Sequence, residues 1–273
     1  MLKYIVSILI PLFTILPICV FGNAIHFSPK KIQEFQNGIF EVVIPKEEDN
    51  FIKYRGELPK DLLSYSDRND KFISIGTAFA ISKKEFASAA HVFAVHNSGL
   101  IKDFYIRDSE GKTYKLKKFL KYSHYKDLTV FSLKKYPSEI IPLKINEKST
   151  VGDVVYTAGN ALGEGIVFRN GNITSYTHEE YEGLWKNIRY TAPASPGNSG
   201  GPLLNIEGEV IGIVTKKTQN ENLNYAVPID VLSNMSNKKS EFYEKGRTEY
   251  EAGLRMIENW KFSSKLPASF KAL

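Results

Sequence analysis

Cysteine is almost missing from this 273-residue chain, which has only Cys19. With no second cysteine the chain has no internal disulfide, no paired-thiolate metal site and, once Cys19 is removed, no cysteine nucleophile. A GxxxxGK[ST] phosphate loop, an internal repeat of 20 to 50 residues and any low-complexity tract are also lacking. Charge of one sign is not in great excess. The 36 basic and 30 acidic residues are mixed along the chain, so the net +6 gives no basic stripe and argues against a nucleic-acid partner. The 42% hydrophobic content is ordinary for a globular protein. Stability must therefore come from a hydrophobic core, which a chain of this length can supply.

The first residues carry a targeting pattern. Lys3 is followed by the almost wholly apolar run Ile5 to Phe21, and Gly22-Asn23-Ala24 places small residues before a cut after Ala24. The run contains Pro11 and Pro17 and is short for a span of about 20 residues. A cleaved signal peptide over residues 1–24, with export to the periplasm or medium, is the expectation. An uncleaved anchor and lipidation at Cys19 stay open, although Ile18 is large for the residue before a lipidated cysteine.

From about Gly38 the pattern is of short β-type runs between turn residues. They are Phe40–Ile44, Phe72–Ile81, Glu85–Ala90, Phe104–Arg107, Tyr114–Phe119, Leu128–Leu133, Val154–Ala158, Ile166–Arg169, Asn172–Tyr176, Ile188–Ala192, Val210–Thr215 and Asn224–Val227. No helical pattern separates them, which excludes a parallel α/β sheet and leaves an all-β fold, as paired antiparallel barrels or a large sandwich. The break at Pro137 to Lys148 divides the runs about equally, as two barrels require. Residues 25–37 form an N-terminal segment with a short helix. Residues 229–262 read as helix, with Phe242, Tyr243, Tyr250, Leu254, Ile257 and Trp260 at near-helical spacing, so 236–273 is expected to be a helical extension docked on the second barrel.

Three blocks stand in one order: Ser88-Ala-Ala-His91-Val after Gly76-Thr-Ala-Phe-Ala, then Asp127-Leu-Thr-Val-Phe-Ser-Leu, then Ser195-Pro-Gly-Asn-Ser199-Gly-Gly-Pro-Leu203. They resemble the histidine, aspartate and serine blocks of chymotrypsin-fold peptidases, and the serine block is similar to the HtrA branch. Gly152-Asp-Val-Val-Tyr-Thr-Ala-Gly159-Asn160, Gly171-Asn-Ile-Thr-Ser175 and Asn224-Tyr-Ala-Val-Pro-Ile-Asp230 extend the resemblance over residues 70 to 235. It implies two six-stranded antiparallel barrels over residues 38–235. It also implies an exported serine endopeptidase with His91, Asp127 and Ser199 as triad and the N–H groups of Gly197 and Ser199 as oxyanion hole. Pro193, Ala194, Val214 and Thr215 would line the substrate pocket, and the partner would be a protein or peptide substrate. No cofactor or metal is implied, and a homo-oligomer stays open. A catalytically weak peptide-binding or chaperone-like protein on the same fold is the alternative.

The chemistry requires these residue types together. A serine hydroxyl attacks only when a base takes its proton, and the aspartate fixes that base's tautomer. Singly, His91 reads as a core histidine and Asp127 or Ser199 as turn residues; the order of the blocks favours the triad. Gly197-Asn-Ser199-Gly-Gly201 also satisfies G-x-S-x-G, but the α/β-hydrolase fold needs a histidine after the serine, and none follows His178. The aspartates before His91 lack the surroundings a subtilisin order requires. His124-x-x-Asp127 mimics a metal pair without further ligands.

Departures from the family are as informative. Asn198 stands where trypsins have the aspartate that pairs with a new N-terminus, so activation by propeptide cleavage is not expected. Pro193 stands where trypsins place the carboxylate that selects Lys or Arg, which favours a small or medium apolar residue before the scissile bond. The residues after Met235 are too few for the PDZ module that usually follows HtrA catalytic domains.

Overall fold

A computed structural model describes residues 27–46, 69–93, 103–163, 165–180, 182–217 and 223–235. The targeting segment, His26, His96 and the 236–273 extension lie outside the described residues. A short helix, α1 (Pro29–Gln36), opens the described chain. Pro29 pre-sets the first turn, and the Ser28 hydroxyl accepts from Lys31 N–H at 3.3 Å, a capping bond at the end where helix donors lack partners.

The first barrel comprises β1 (Ile39–Pro45), β2 (Phe72–Ala80), β3 (Phe86–Ala89), β4 (Tyr105–Arg107), β5 (Thr113–Ser123) and β6 (Leu128–Leu133), closed in the order β1-β2-β3-β6-β5-β4. The second comprises β7 (Val154–Asn160), β8 (Ile166–His178), β9 (Lys186–Tyr190), β10 (Pro202–Leu204), β11 (Val210–Lys217) and β12 (Asn224–Pro228). Its order, β7-β8-β9-β12-β11-β10, repeats the first barrel's six strands later. All pairings between these strands are antiparallel, and both barrels are closed, so among the described strands no edge is left to recruit another chain. Between the barrels, residues 134–153 form no strand; Ile145 makes an isolated parallel bridge with Val210, and Leu143 N–H donates to Ala80 C=O at 2.9 Å. A second short helix, α2 (Ile229–Ser233), follows β12.

The burial pattern shows how the barrels meet. β1 is buried at six successive positions, not at alternate ones. Phe40, Val42 and Ile44 fill the first barrel, while Ile39 joins a cluster that also holds Phe79 and Leu128 from that barrel and Tyr156, Leu204 and Ile213 from the other. β11 divides likewise: Ile211 and Val214 face the second barrel's interior, and Val210 and Ile213 the shared cluster. Strands buried on both faces read as continuous apolar runs. Three clusters therefore exist, one inside each barrel and one between them.

The expected strands are present with shifted ends, and two differ in kind. Ile166–Arg169 and Asn172–Tyr176 are one continuous strand, β8, and β10 was not anticipated.

Candidate active site

His91 lies in a 3-10 turn just after β3, and Asp127 in the turn that leads into β6. Because β3 and β6 are paired from Phe86–Phe131 to Ala89–Leu128, their ends deliver both residues to one spot. Three hydrogen bonds then join them. Ala90 N–H donates to Asp127 C=O at 3.0 Å, His91 N–H to Asp127 Oδ1 at 2.8 Å, and His91 Nδ1 lies 2.7 Å from Asp127 Oδ2. A carboxylate can only accept, so Nδ1 carries the hydrogen and Nε2 is left as the base. Asp127 has φ +53, the one non-glycine residue in the left-handed region among the described residues. Aspartate tolerates that conformation better than most residues, and the three bonds hold it there. Tyr122 supports the turn from beneath: its hydroxyl donates to Ala90 C=O at 3.1 Å. Burial, with the Asp127 carboxylate adding to it, pushes that phenol up to about 12.

Ser199 arrives from the second barrel. Ser195-Pro196-Gly197-Asn198 forms a tight turn closed by Asn198 N–H donating to Ser195 C=O at 3.0 Å. Gly197 has φ +98, and proline followed by a positive-φ glycine is the signature of a type II turn. Beyond it, Gly200 N–H donates to Val214 C=O at 2.7 Å and Gly201 N–H to Asn198 C=O at 2.9 Å. Among the described residues, the N–H groups of Gly197 and Ser199 have no hydrogen-bond partner, although those of Asn198, Gly200 and Gly201 do. Two donors left free in a tightly bonded loop match what an oxyanion needs. The Ser199 carbonyl accepts from Thr77 N–H on β2 at 2.8 Å, which brings the serine onto the barrel that carries His91. Among the described residues no hydrogen bond joins the Ser199 hydroxyl to the His91 ring. In unliganded enzymes that bond is commonly long and tightens with substrate.

The four expected pocket residues divide. Ala194 and Val214 are buried in the second barrel's core, whereas Pro193 is exposed and Thr215 half-buried. Thr215 falls at an irregularity in the β11–β12 pairing, which turns it out of the regular ladder. Asn198 is 1% exposed, and neither atom of its amide has a partner among the described residues. A separate cavity of about 370 Å³ opens beside Pro196 and Gly197, lined by Phe72 to Ile75 and by Lys46, Asp70 and Arg107.

Sequence reasoning assigned no role to several residues around the site. Thr77 and Asn160 are polar side chains in largely apolar strands, and that contrast is the signal they offered; Tyr122, in the lysine-rich β5, offered none. Tyr125, two residues before Asp127, donates to Glu179 at 2.7 Å and meets Trp185 edge-on, tying the aspartate turn to the tip of β8–β9. Its phenol is pushed up to about 12 by burial and then by Glu179. The other histidines stand apart: His124 contributes a backbone bond, and His178 is the exposed last residue of β8. Among the described residues no group of three or more His, Cys, Asp or Glu is placed to hold a metal ion.

Comparison with known proteins agrees with this geometry. The chain is 31% identical over 173 residues to the serine protease Do-like HtrA of Lactococcus lactis subsp. cremoris, covering 54% of this chain and 42% of that protein. It is 29% identical over 174 residues to the anti-sigma-I factor RsgI9 of Acetivibrio thermocellus, covering 63% of this chain and 23% of the relative. The chain thus spans less than half the length of these curated relatives. Among solved structures, the active form of the Rv3671c protease from M. tuberculosis shares the fold (TM-score 0.55, 16% identity, 74% of this chain and 80% of that one). So does the HtrA-type protease AlgW, solved with a decapeptide (TM-score 0.54, 19% identity, 72% and 62%). The family described as "Trypsin-like peptidase domain" matches residues 76–213, which hold His91, Asp127 and Ser199. With that match spanning half of the chain, and both barrels in place around it, this protein belongs to the trypsin-like peptidase domain family.

Proposed function

We propose that this chain is an exported serine endopeptidase that hydrolyses peptide bonds of unfolded or extracellular proteins through an acyl-enzyme. The observation that carries the reading is the 2.7 Å contact of His91 Nδ1 with Asp127 Oδ2, which places the hydrogen of the neutral ring on Nδ1 and so offers Nε2 as base. Ser199 Oγ attacks the scissile carbonyl carbon while His91 takes the hydroxyl proton. The resulting oxyanion accepts from the N–H groups of Gly197 and Ser199. Each such donor contributes about 3–4 kcal/mol to lowering the barrier. The C–N bond then breaks, the leaving amine takes the proton from His91, and water hydrolyses the acyl-enzyme by the same steps. The AlgW structure with a decapeptide supports a peptide substrate, and Lys3, the apolar run to Phe21 and Gly22-Asn23-Ala24 support export.

Labelling of the purified protein by a fluorophosphonate tests the reading, with Ser199→Ala as the control. Wild type is expected to label and to cleave an unfolded protein. The variant should do neither, yet keep its melting temperature, since one hydroxyl leaves a loop. Equal inertness of both proteins would favour the peptide-binding alternative. Undiminished cleavage by the variant would remove Ser199 from its role.

A further inference from the structure

Thr77 stands where three parts of the molecule meet, and none of the blocks that define the family gives it a task. It is fully buried in β2. Its hydroxyl accepts from the backbone N–H of Asn160 at 2.9 Å, which leaves its own hydrogen to donate, and it donates to Gly197 C=O at 2.6 Å. Its N–H donates to Ser199 C=O at 2.8 Å, and its C=O accepts from the Ser88 hydroxyl at 2.7 Å. Carbonyls of the two residues whose N–H groups face the reacting carbonyl are thus both held by one residue of the other barrel. The side chain has little room to rotate. A Cβ added at Gly201 would lie 3.3 Å from the Thr77 methyl, and one added at Gly159 3.0 Å from its hydroxyl.

Asn160 extends the connection. Its amide Nδ2 donates to Ser74 at 2.8 Å and to Glu41, and its Oδ1 accepts from Gly165 N–H at 2.7 Å. Glu41, itself buried, also accepts from Arg107. A continuous set of bonds therefore runs from β4 and β1 through the end of β7 to the oxyanion loop. Type II turns resist distortion weakly, because glycine at the third position permits many backbone angles. A fixed donor to the Gly197 carbonyl supplies the restraint that the glycine itself lacks.

We propose that Thr77 is a positioning residue of the peptidase: its hydroxyl holds the Gly197 carbonyl, between the N–H groups of Gly197 and Ser199, and so fixes the turn that aims these oxyanion donors. This rests on the serine-peptidase reading above. Displacement of catalytic groups by about 1 Å costs roughly 10²-fold in rate, so loss of this bond is expected to be costly without touching substrate binding. Thr77→Val keeps the shape and removes the hydroxyl; Thr77→Ser keeps the hydroxyl.

The experiment measures kcat and KM on a peptide amide, together with inhibition by a peptide aldehyde, whose adduct places an oxyanion in the same hole. Thr77→Val should lose about 10- to 100-fold in kcat, with KM changed less than about threefold, and should bind the aldehyde correspondingly more weakly. Thr77→Ser should recover most of both. A purely structural role would lower the melting temperature and leave kcat of the folded fraction and aldehyde affinity intact, and that result overturns the proposal. Should Thr77→Val not fold, Thr77→Cys, which fills similar space with a weak donor, must show the same loss. If wild type is as inert as Ser199→Ala, the peptidase reading fails and this inference with it. If wild type is active and Thr77→Val equals it, only this inference fails.

Discussion

Asp70 sits at the rim of the cavity beside Gly197, where its Oδ2 accepts from Arg107 Nη1 at 2.5 Å and its Oδ1 from Phe72 N–H at 2.9 Å. Burial draws this carboxyl upward, but the Arg107 guanidinium, the Phe72 N–H and the Lys46 charge together outweigh it and hold the group below the usual carboxylate range. A carboxylate with a depressed folded value stabilises the protein above its ordinary value, and that contribution is lost as pH falls through the lowered one. Asp70→Asn is therefore expected to cost about 1 kcal/mol at neutral pH, with the gap to wild type closing in acid. Melting curves of both proteins from neutral pH downward check it; a gap independent of pH would show that the charge is not what stabilises. At this scale the meeting of His91 with Asp127 was legible because each stands in a local block. Thr77 and Asn160 were not, because their bonds join residues 83 and 120 positions apart, and no local pattern encodes such a meeting. Asn198 was legible only in part: its sequence excludes an ion pair, whereas its burial without a partner emerges from packing.

Among the elements, α1 has the largest effect for its size. Phe35 is 2% exposed and packs on Phe168 of β8, while Phe27, just before the helix, stacks against Tyr156 of β7 at 4.3 Å. The helix thus packs into the cluster between the barrels, against Phe168 and Tyr156 of the second, while the chain leaving it at Gly38 begins the first. Phe35→Ala is expected to destabilise the protein by about 3–5 kcal/mol, the usual cost of emptying a buried aromatic site. Denaturant unfolding measures this, and a loss below 1 kcal/mol would show that α1 is an appendage. The sequence suggested a short helix there, but its residues did not say which barrel it covers. Strand boundaries show the same limit. Asn170-Gly171-Asn172 reads as a turn, yet β8 runs straight through it, with Gly171 paired to Val155. A Cβ at Gly171 would lie 2.1 Å from Ala192 N, so this glycine is there for close approach and not for turning. β10 has only three residues between a glycine-rich loop and a turn, too few for a periodic signal.

For the whole molecule, the cluster between the barrels decides the behaviour. Phe79 and Leu128 on one side and Tyr156, Leu204 and Ile213 on the other lose their cover if the barrels part. Burying each such side chain stabilises by about 1.5–3 kcal/mol, so neither barrel is expected to persist alone. Calorimetry should give a single unfolding transition, whereas two resolved transitions would show independent barrels. Two barrels were legible from twelve runs broken near residue 140. Their joint core was not, since apolar residues on the outer faces of the strands look the same whether they meet a neighbour or the barrel's own interior. The division of labour between the barrels also has a consequence in time. Synthesis proceeds from the N-terminus, so His91 and Asp127 are made before Ser199, and the shared cluster forms only once the second barrel is complete. On the serine-peptidase reading proposed above, a chain still being synthesised holds His91 and Asp127 without Ser199, and the seating of the second barrel on the first is the folding step that would complete the site.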